Sequence, residues 1–118
     1  MAKAIGFGGA FIRARDPKAL YSWYEQHLGL KSHGCFVFPS KEQPGDIAVS
    51  FFAQDDVYFP TQQPAMLNFQ VDDLHALLDA LTAAGVTVDA NRQDTEYGLF
   101  GWITDPEGNR VELWQPKP

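Results

Sequence analysis

An internal repeat is the feature that most constrains the fold of this chain. Two segments, Phe11 to Leu30 and Leu67 to Val86, each consist of an alternating apolar run, an aspartate, an apolar stripe at helical spacing, a glycine and a new β-rich run. The aspartate and the glycine recur at the same interval, with an offset of 56 residues. The repeat predicts two copies of one supersecondary module, and 118 residues suit a single domain with one core.

Helix signals stand at matching places in the two halves. Asp16 is a predicted N-cap, and Gly29 is the predicted stop of the first helix. The second helix is predicted to begin after Asp72 or Asp73 and to end at Gly85. The predicted apolar stripes are Leu20, Trp23, Tyr24, His27 and Leu28 in the first helix, and Leu74, Leu77, Leu78 and Leu81 in the second.

Alternating runs predict strands before and after each helix, so that each half reads β, α, β, β, β. A stretch of linker composition, rich in proline and glutamine, separates the halves. We therefore expect one domain over residues 1–118, with modules at 1–60 and 65–118 and a linker at 60–64. The predicted strands that follow the helices are residues 30–38, 46–52, 57–59, 86–89 and the two arms of a hairpin at 100–115.

The hairpin carries the clearest candidate site. Its turn, Asp105–Asn109, contains the proline and the glycine that a tight loop needs. Two-residue alternation then places Arg110, Glu112 and Trp114 on one face of the last strand. An acid, a base and an indole on one strand face indicate a binding or catalytic site, with Glu112 as the candidate catalytic residue.

Alternation assigns residues of other strands to the same face. The side chains of Ala10, Ile12, Leu67 and Phe69 are predicted to lie beneath the helices, which leaves their neighbours in sequence on the opposite face. Aromatic side chains on that opposite face argue for a cavity rather than a fully solvated surface. The predicted ligand-binding residues are Phe11, Arg13, Phe52, Tyr58, Met66, Asn68, Trp102, Arg110 and Trp114.

The sequence resembles the vicinal oxygen chelate superfamily, which includes glyoxalase I, bleomycin resistance proteins and extradiol dioxygenases. The resemblance rests on the paired plan and on three segments, Trp23–Leu30, Val71–Asp73 and Asp105–Leu113. It implies an α+β fold in which two βαβββ modules form curved mixed sheets around a cup-shaped cavity. Related proteins often complete the cup with a second subunit.

The resemblance also bears on metal binding. Metal-dependent members take ligands from the first and last strands of each module, and the first-strand positions fall here on Gly9 and Met66. Glu112 matches the last-strand ligand, and its counterpart in the first half falls near Asp56 or Tyr58. Because tight transition-metal sites usually use imidazole or thiolate ligands, we expect no metal and no other cofactor.

Composition limits the classes of binding partner that this chain can have. Nine basic and fifteen acidic residues give a net charge of −6 with no basic patch, which disfavours nucleic acid. The lone Cys35 excludes an intrachain disulfide, and no apolar run approaches the roughly 18 residues of a membrane span. We expect a cytoplasmic protein with a small-molecule ligand and no membrane partner. Open sheet edges and an aromatic face predict a homodimer.

Three functions remain open. The first is a metal-independent small-molecule-binding protein of the glyoxalase/bleomycin resistance type, with its ligand in an aromatic cup. The second is a metal-dependent lyase, isomerase or dioxygenase that uses Glu112, and the third is a dimeric interaction domain without a ligand. The missing imidazoles and the aromatic face favour the first, while a structural pairing of Glu112 with Arg13 or Arg110 also stays open.

Overall fold

A computed structural model describes residues 1–118 and contains one mixed sheet of eight strands with two helices. The curved mixed sheet and the two helices confirm the predicted fold class. Neither helix is long and apolar enough to cross a membrane. The elements are β1 (Ala4–Ala14), α1 (Pro17–Leu28), β2 (Phe36–Phe38), β3 (Ile47–Ala53), β4 (Ala65–Val71), α2 (Leu74–Ala83), β5 (Thr87–Val88), β6 (Gln93–Thr95), β7 (Gly98–Thr104) and β8 (Arg110–Pro116).

The first strands of the two halves meet at the centre of the sheet. The strand order is β2-β3-β1-β4-β8-β7-β5, with β6 paired to β7. β1 and β4 run antiparallel with Gly9 opposite Asn68, and each pairs in parallel with a later strand of its own half. On the other side of β4, the register sets Asn68 opposite Glu112, and Trp102 of β7 is also opposite Glu112. Both halves therefore contribute side chains to one face within a single chain.

Aspartates cap both helices, as predicted, and left-handed glycines follow them. Gly29 has φ 71° and Gly85 has φ 88°, a conformation that glycine adopts without strain. The cap of α2 is Asp73, whose side chain accepts a hydrogen bond from a backbone N–H of the first turn. Asp72 instead accepts a hydrogen bond from the backbone N–H of Lys3 at 2.8 Å, which ties the start of β1 to the end of β4.

The second helix packs as its apolar spacing predicts. Leu74 and Leu78 are fully buried and form a cluster with Val71 and Leu113. Val111 lies at the edge of the same cluster, so the alternation along β8 places its odd-numbered residues on the helix side. This cluster is the hydrophobic core of the helix-covered face.

The first helix packs differently from its prediction. Trp23 and Leu28, two members of the predicted stripe, are 52% and 60% exposed. Tyr21, which lies outside that stripe, faces the sheet with its ring 4.7 Å from that of Phe51 and 5.2 Å from that of Phe36. Its hydroxyl also accepts a hydrogen bond from the backbone N–H of Phe51 at 2.8 Å. The aromatic contacts and this hydrogen bond orient α1 about Tyr21 and turn Trp23 outward.

The middle of the helix-side face is uncovered. Ile12 and Leu67, predicted to lie beneath the helices, are 36% and 44% exposed. The reason is lateral placement, since α1 packs mainly on β3 and α2 on β5 and β7, while β1 and β4 lie between them. With Ile5 and Phe7, these residues form what we call the outer apolar strip.

The predicted strand at Val57–Phe59 is absent, and an arginine explains the conformation of this segment. The guanidinium of Arg13 donates to six backbone carbonyls at 2.8–3.2 Å, so these groups need no neighbouring strand. The guanidinium also lies over the Phe59 ring, 4.4 Å from its centroid. Arg13 thus anchors the connection between β3 and β4, including the predicted linker. The accepting carbonyls belong to Ala53, Gln54, Asp56, Phe59, Pro60 and Gln63.

Candidate functional site

The sheet face opposite the helices carries a second hydrophobic cluster. Phe59, Met66 and Trp102 are each at most 2% exposed and form its centre. Phe11, Phe52, Tyr58 and Phe100 pack against these three residues. The cluster brings β1, β3, β4 and β7 together around the inward side chains of β8.

Glu112 of β8 is buried among polar groups from both halves of the chain. Its exposure is 1%, and its Oε1 accepts hydrogen bonds from the Tyr58 hydroxyl and, at 3.0 Å, from the Trp102 indole N–H. Its Oε2 accepts a hydrogen bond from Asn68 Nδ2 at 2.5 Å. Three donors therefore surround the carboxyl group, and all three are neutral.

Burial dominates the electrostatics of this group. Loss of solvent raises the pKa of Glu112, and the lowering by Tyr58, Asn68, Trp102 and Arg110 does not cancel it. Burial also raises the pKa of the Tyr58 hydroxyl, with the neighbouring Glu112 as the second cause. A buried carboxyl group with a raised pKa beside a cleft is a candidate for proton transfer.

No arginine forms an ion pair with Glu112. Arg110 instead pairs with Asp89 at 2.9 Å and lies over the Trp102 ring, 5.2 Å from its centroid. The guanidinium of Arg13 is occupied by backbone carbonyls. The structural pairing of Glu112 with Arg13 or Arg110, open at the level of the sequence, is therefore absent.

Asn68 has one polar atom without a partner. Its side chain is 3% exposed, and Oδ1 accepts no hydrogen bond although Nδ2 donates to Glu112. A Cβ at Gly8 would lie 1.8 Å from this oxygen, so the absence of a side chain on β1 leaves room for it. The next inward residue of β4, Gln70, is fully paired, since its Oε1 accepts from Gly45 N and its Nε2 donates to Gly45 O, both at 2.8 Å. The orphaned acceptor is thus particular to position 68.

A cleft of about 620 Å³ opens above Asn68 and Glu112. Phe11, Phe100 and Trp114 provide aromatic walls. The rings of Phe100 and Trp114 are stacked, 6.0 Å apart and 6° from parallel. Exposed Asp46, Glu96 and Lys117 lie toward the mouth, and Gly8, Cys35, Val37, Ala48 and Tyr97 are among the remaining lining residues.

Glycines determine where Trp114 sits. A Cβ at Gly45 would lie 2.7 Å from the edge of the indole, and one at Gly98 would lie 3.0 Å from its Nε1. The indole N–H donates to the Tyr97 carbonyl at 2.8 Å. Trp114 is therefore held as a fixed wall of the cleft.

The predicted site residues fall into three groups. Phe11, Asn68, Glu112 and Trp114 line the cleft, whereas the guanidinium groups of Arg13 and Arg110 are engaged with carbonyls and with Asp89. Phe52, Tyr58, Met66 and Trp102 belong to the inner cluster beneath the cleft rather than to its lining.

Sequence reasoning missed several lining residues. Phe100 stands two positions before Trp102, so strand alternation alone would have placed it on the same face. Asp46 begins the predicted strand at 46–52 and stands six positions before Phe52, so alternation would have placed it on the same face too. Glu96 and Tyr97 lie in the turn between β6 and β7, where no periodicity indicates direction.

The donor set does not fit the metal centre of the superfamily. A Cβ at Gly9 would lie 1.7 Å from the Ala48 carbonyl oxygen, so this position offers neither a ligand nor space for one. Met66 is packed in the inner cluster, and both oxygens of Glu112 already accept hydrogen bonds. No group of three or more His, Cys, Asp or Glu side chains is placed to hold a metal ion.

Comparisons with known proteins agree on the fold. The model of the Glyoxalase/Bleomycin resistance protein/Dioxygenase superfamily matches residues 6–113. No protein of curated function matches the sequence.

Solved structures provide a second comparison. Methylmalonyl-CoA epimerase from Mycobacterium tuberculosis is similar with a TM-score of 0.69 and 20% identity, over 98% of this chain and 90% of that one. A methylmalonyl-CoA epimerase variant from Streptomyces coelicolor, in complex with 2-nitronate-propionyl-CoA, has a TM-score of 0.75 at 13% identity, over 98% and 100%. A hypothetical protein from Bacillus halodurans C-125 has a TM-score of 0.67 at 11% identity, over 99% and 96%. At these identities the likeness concerns the fold alone.

Proposed function

Because the chain belongs to the Glyoxalase/Bleomycin resistance protein/Dioxygenase superfamily, we propose that it binds a small molecule in the cleft above Asn68 and Glu112 without using a metal ion. The ligand lies between Phe11 and the stacked pair of Phe100 and Trp114. The buried polar atoms of Asn68 and Glu112 at the floor orient it.

The unpartnered Asn68 Oδ1 carries this proposal. Leaving a buried acceptor unpaired costs about 1–3 kcal/mol, and native proteins contain few such groups. Here the residue that carries the acceptor lines a cleft, so a ligand N–H or O–H supplies the missing partner. Because the ligand removes the free-energy cost of the unpaired acceptor, this hydrogen bond favours binding.

The shape and lining of the cleft support the same function. Its volume of about 620 Å³ is within the range of small-molecule sites, which are mostly apolar with a few convergent polar groups. The fixed indole of Trp114 offers a stacking surface that does not have to be ordered when the ligand binds.

Glu112 supports a second candidate function, a proton-transfer enzyme that needs no metal. Burial raises the pKa of Glu112 beside a cleft large enough for a substrate, which suits a general acid or base. Two structural neighbours are epimerases. Binding without chemistry remains the first proposal because Tyr58, Asn68 and Trp102 all hold the carboxyl group in place.

A binding screen with Trp114 variants tests the first proposal. Planar aromatic compounds are expected to shift the NMR signals of Phe11, Phe100 and Trp114, and Trp114→Leu is expected to weaken binding about tenfold or more. Trp23→Leu is the matched control, since Trp23 is exposed on α1 and remote from the cleft lining. Equal affinity in the wild type and Trp114→Leu would contradict a ligand site in the cleft.

Metal analysis separates this function from the metal-dependent alternative. Protein purified without chelator is expected to contain no stoichiometric Ni, Zn, Fe or Mn. About one metal ion per chain, lost in Glu112→Ala, would overturn the proposal and support a metal-dependent lyase, isomerase or dioxygenase.

A further inference from the structure

Asn68 and Glu112, which lie at the floor of the cleft, have side-chain acceptors with unused capacity. Asn68 Oδ1 has no partner, and Glu112 Oε2 accepts a single hydrogen bond. The Tyr58 hydroxyl and the Trp102 indole each donate their single hydrogen to Glu112, and Asn68 Nδ2 donates one of its two. A ligand that approaches these two oxygens therefore has to bring its own N–H or O–H groups.

The two acceptors are close neighbours. Both flank the amide nitrogen of Asn68, because Oδ1 shares its carboxamide and Oε2 lies 2.5 Å from it. Two N–H groups on one planar head group, as in an amidinium or a guanidinium, match such a pair of oxygens.

The charges around the cleft are unbalanced. When ionised, the Glu112 carboxylate has no ion-pair partner, since Arg110 pairs with Asp89. At the mouth, Asp46 and Glu96 outnumber Lys117, and the ammonium of Lys117 lies 3.5 Å from Asp94. A carboxylate in a low-dielectric site attracts a cation strongly once that cation has left water.

From these observations we infer that the ligand is a planar aromatic cation whose N–H groups bind Asn68 Oδ1 and Glu112 Oε2. Its ring system lies against the aromatic walls, where the electron-rich face of Trp114 also favours positive charge. This inference rests on the proposed function, because it assumes that the cleft is the binding site.

Three compounds with one ring system test the head group. 2-Naphthamidine is cationic with paired N–H donors, 2-naphthamide is neutral, and 2-naphthoate is an anion without donors. Isothermal titration at pH 7 is expected to show naphthamidine binding about tenfold or more tighter than naphthamide, with no detectable binding of naphthoate.

Variants of Asn68 and Glu112 test whether a preference for naphthamidine comes from the floor of the cleft. Glu112→Gln removes the charge and lets the Asn68 carboxamide turn over to donate toward the cleft, so naphthamidine is expected to lose its advantage over naphthamide. Asn68→Ser, which shortens the acceptor, is expected to weaken naphthamidine more than naphthamide. Glu107→Gln is the matched control because it removes one exposed carboxylate outside the cleft lining. Thermal melts confirm that each variant is folded.

The outcomes separate the two proposals. Equal binding of all three compounds, weakened by Trp114→Leu, would overturn the inferred ligand class and leave the cleft as the binding site. Preference for naphthoate would overturn the ligand class in the same way. Binding of none of them, or binding that Trp114→Leu does not affect, would overturn both.

Discussion

The two halves of the chain begin from one plan, yet their helices pack to different depths. In the second half, α2 buries Leu74 and Leu78 completely against Val71 and Leu113. In the first half, α1 buries no residue fully and is held by the rings of Tyr21 and Tyr24.

The difference shows what helical periodicity does and does not determine. A stripe of leucines defines one apolar direction, and α2 turns that direction to the sheet. The aromatic residues of α1 surround more of the helix, so contacts from other elements decide which of them face inward. The second half therefore contains the tighter core.

The largest expected effect is a contrast between two leucines. Leu78→Ala leaves a cavity in a fully buried cluster and is expected to lower the free energy of unfolding by about 2–5 kcal/mol. Leu28→Ala changes a side chain that is 60% exposed and is expected to change it by less than about 0.5 kcal/mol. Urea denaturation of the two variants measures the contrast. Similar losses in both would show that α1 is packed as tightly as α2.

A smaller effect is expected at the ends of the helices, where the halves should behave alike. Gly29→Val and Gly85→Val each place a β-branched residue in a left-handed conformation and are expected to cost about 1–3 kcal/mol. A Cβ at either position would meet no atom within 4 Å, so backbone strain alone is responsible. Thermal melts within a degree of the wild type would contradict this account of the helix stops.

A pH-dependent effect is expected where the halves join, at Tyr58 and Glu112. Because the folded pKa of Glu112 is raised, its favourable contribution is fully present below the unfolded pKa and is lost as pH rises through the folded pKa. The lowered pKa values of Asp72, Asp89 and Asp105 act in the opposite direction but are common to the wild type and Glu112→Gln. Urea titrations should therefore show the wild type losing stability relative to Glu112→Gln as pH rises above 4.5, the ordinary value for glutamate. If the difference in stability between the wild type and Glu112→Gln did not vary with pH, burial would not raise the pKa of Glu112.

The smallest effect on the single chain is expected at the outer surface of the first half. We expect a homodimer, because the outer apolar strip and Trp23 leave exposed apolar surface that a second copy would cover. Trp23→Lys is expected to weaken the dimer and to change the unfolding of the monomer little. Light scattering that finds a 13.2 kDa monomer for the wild type at micromolar concentration would contradict this expectation.

The fold was largely predictable because its determinants are local. Caps such as Asp16, stops such as Gly29 and alternation along β4 and β8 are contained in short windows of sequence. The strand predicted at residues 57–59 is wrong in type, whereas the prediction for Ile12 is wrong in position. Ile12 has the spacing of a residue beneath a helix, yet α1 lies to one side of it, and no local pattern records that displacement.

The candidate site was less predictable because its determinants are distant in sequence. Alternation identified the face that carries Asn68 and Glu112, but the bond between them joins residues 44 positions apart. Alternation also placed Arg13 on this face of the sheet. Only the path of residues 53–63 determines that its guanidinium binds backbone carbonyls. Sequence alternation thus indicates on which face of the strand a side chain lies, whereas its hydrogen-bond partners depend on tertiary structure.

The central pairing of β1 with β4 has a consequence for the order of folding. β1 is near the start of the chain, but its two neighbours lie far along it, with Ala10 opposite Val49 on one side and Leu67 on the other. Nascent β1 must stay unpaired until these partners have been made, and β4 in turn waits for β8. Loops of this length must close before any contact compensates for the lost entropy, so we expect refolding in milliseconds to seconds, as for other topologies of high contact order. During that interval the backbone N–H and C=O groups along both edges of β1 are unpaired. The glycines at positions 6, 8 and 9 disfavour its pairing with the wrong strand by lowering its intrinsic preference for the extended state.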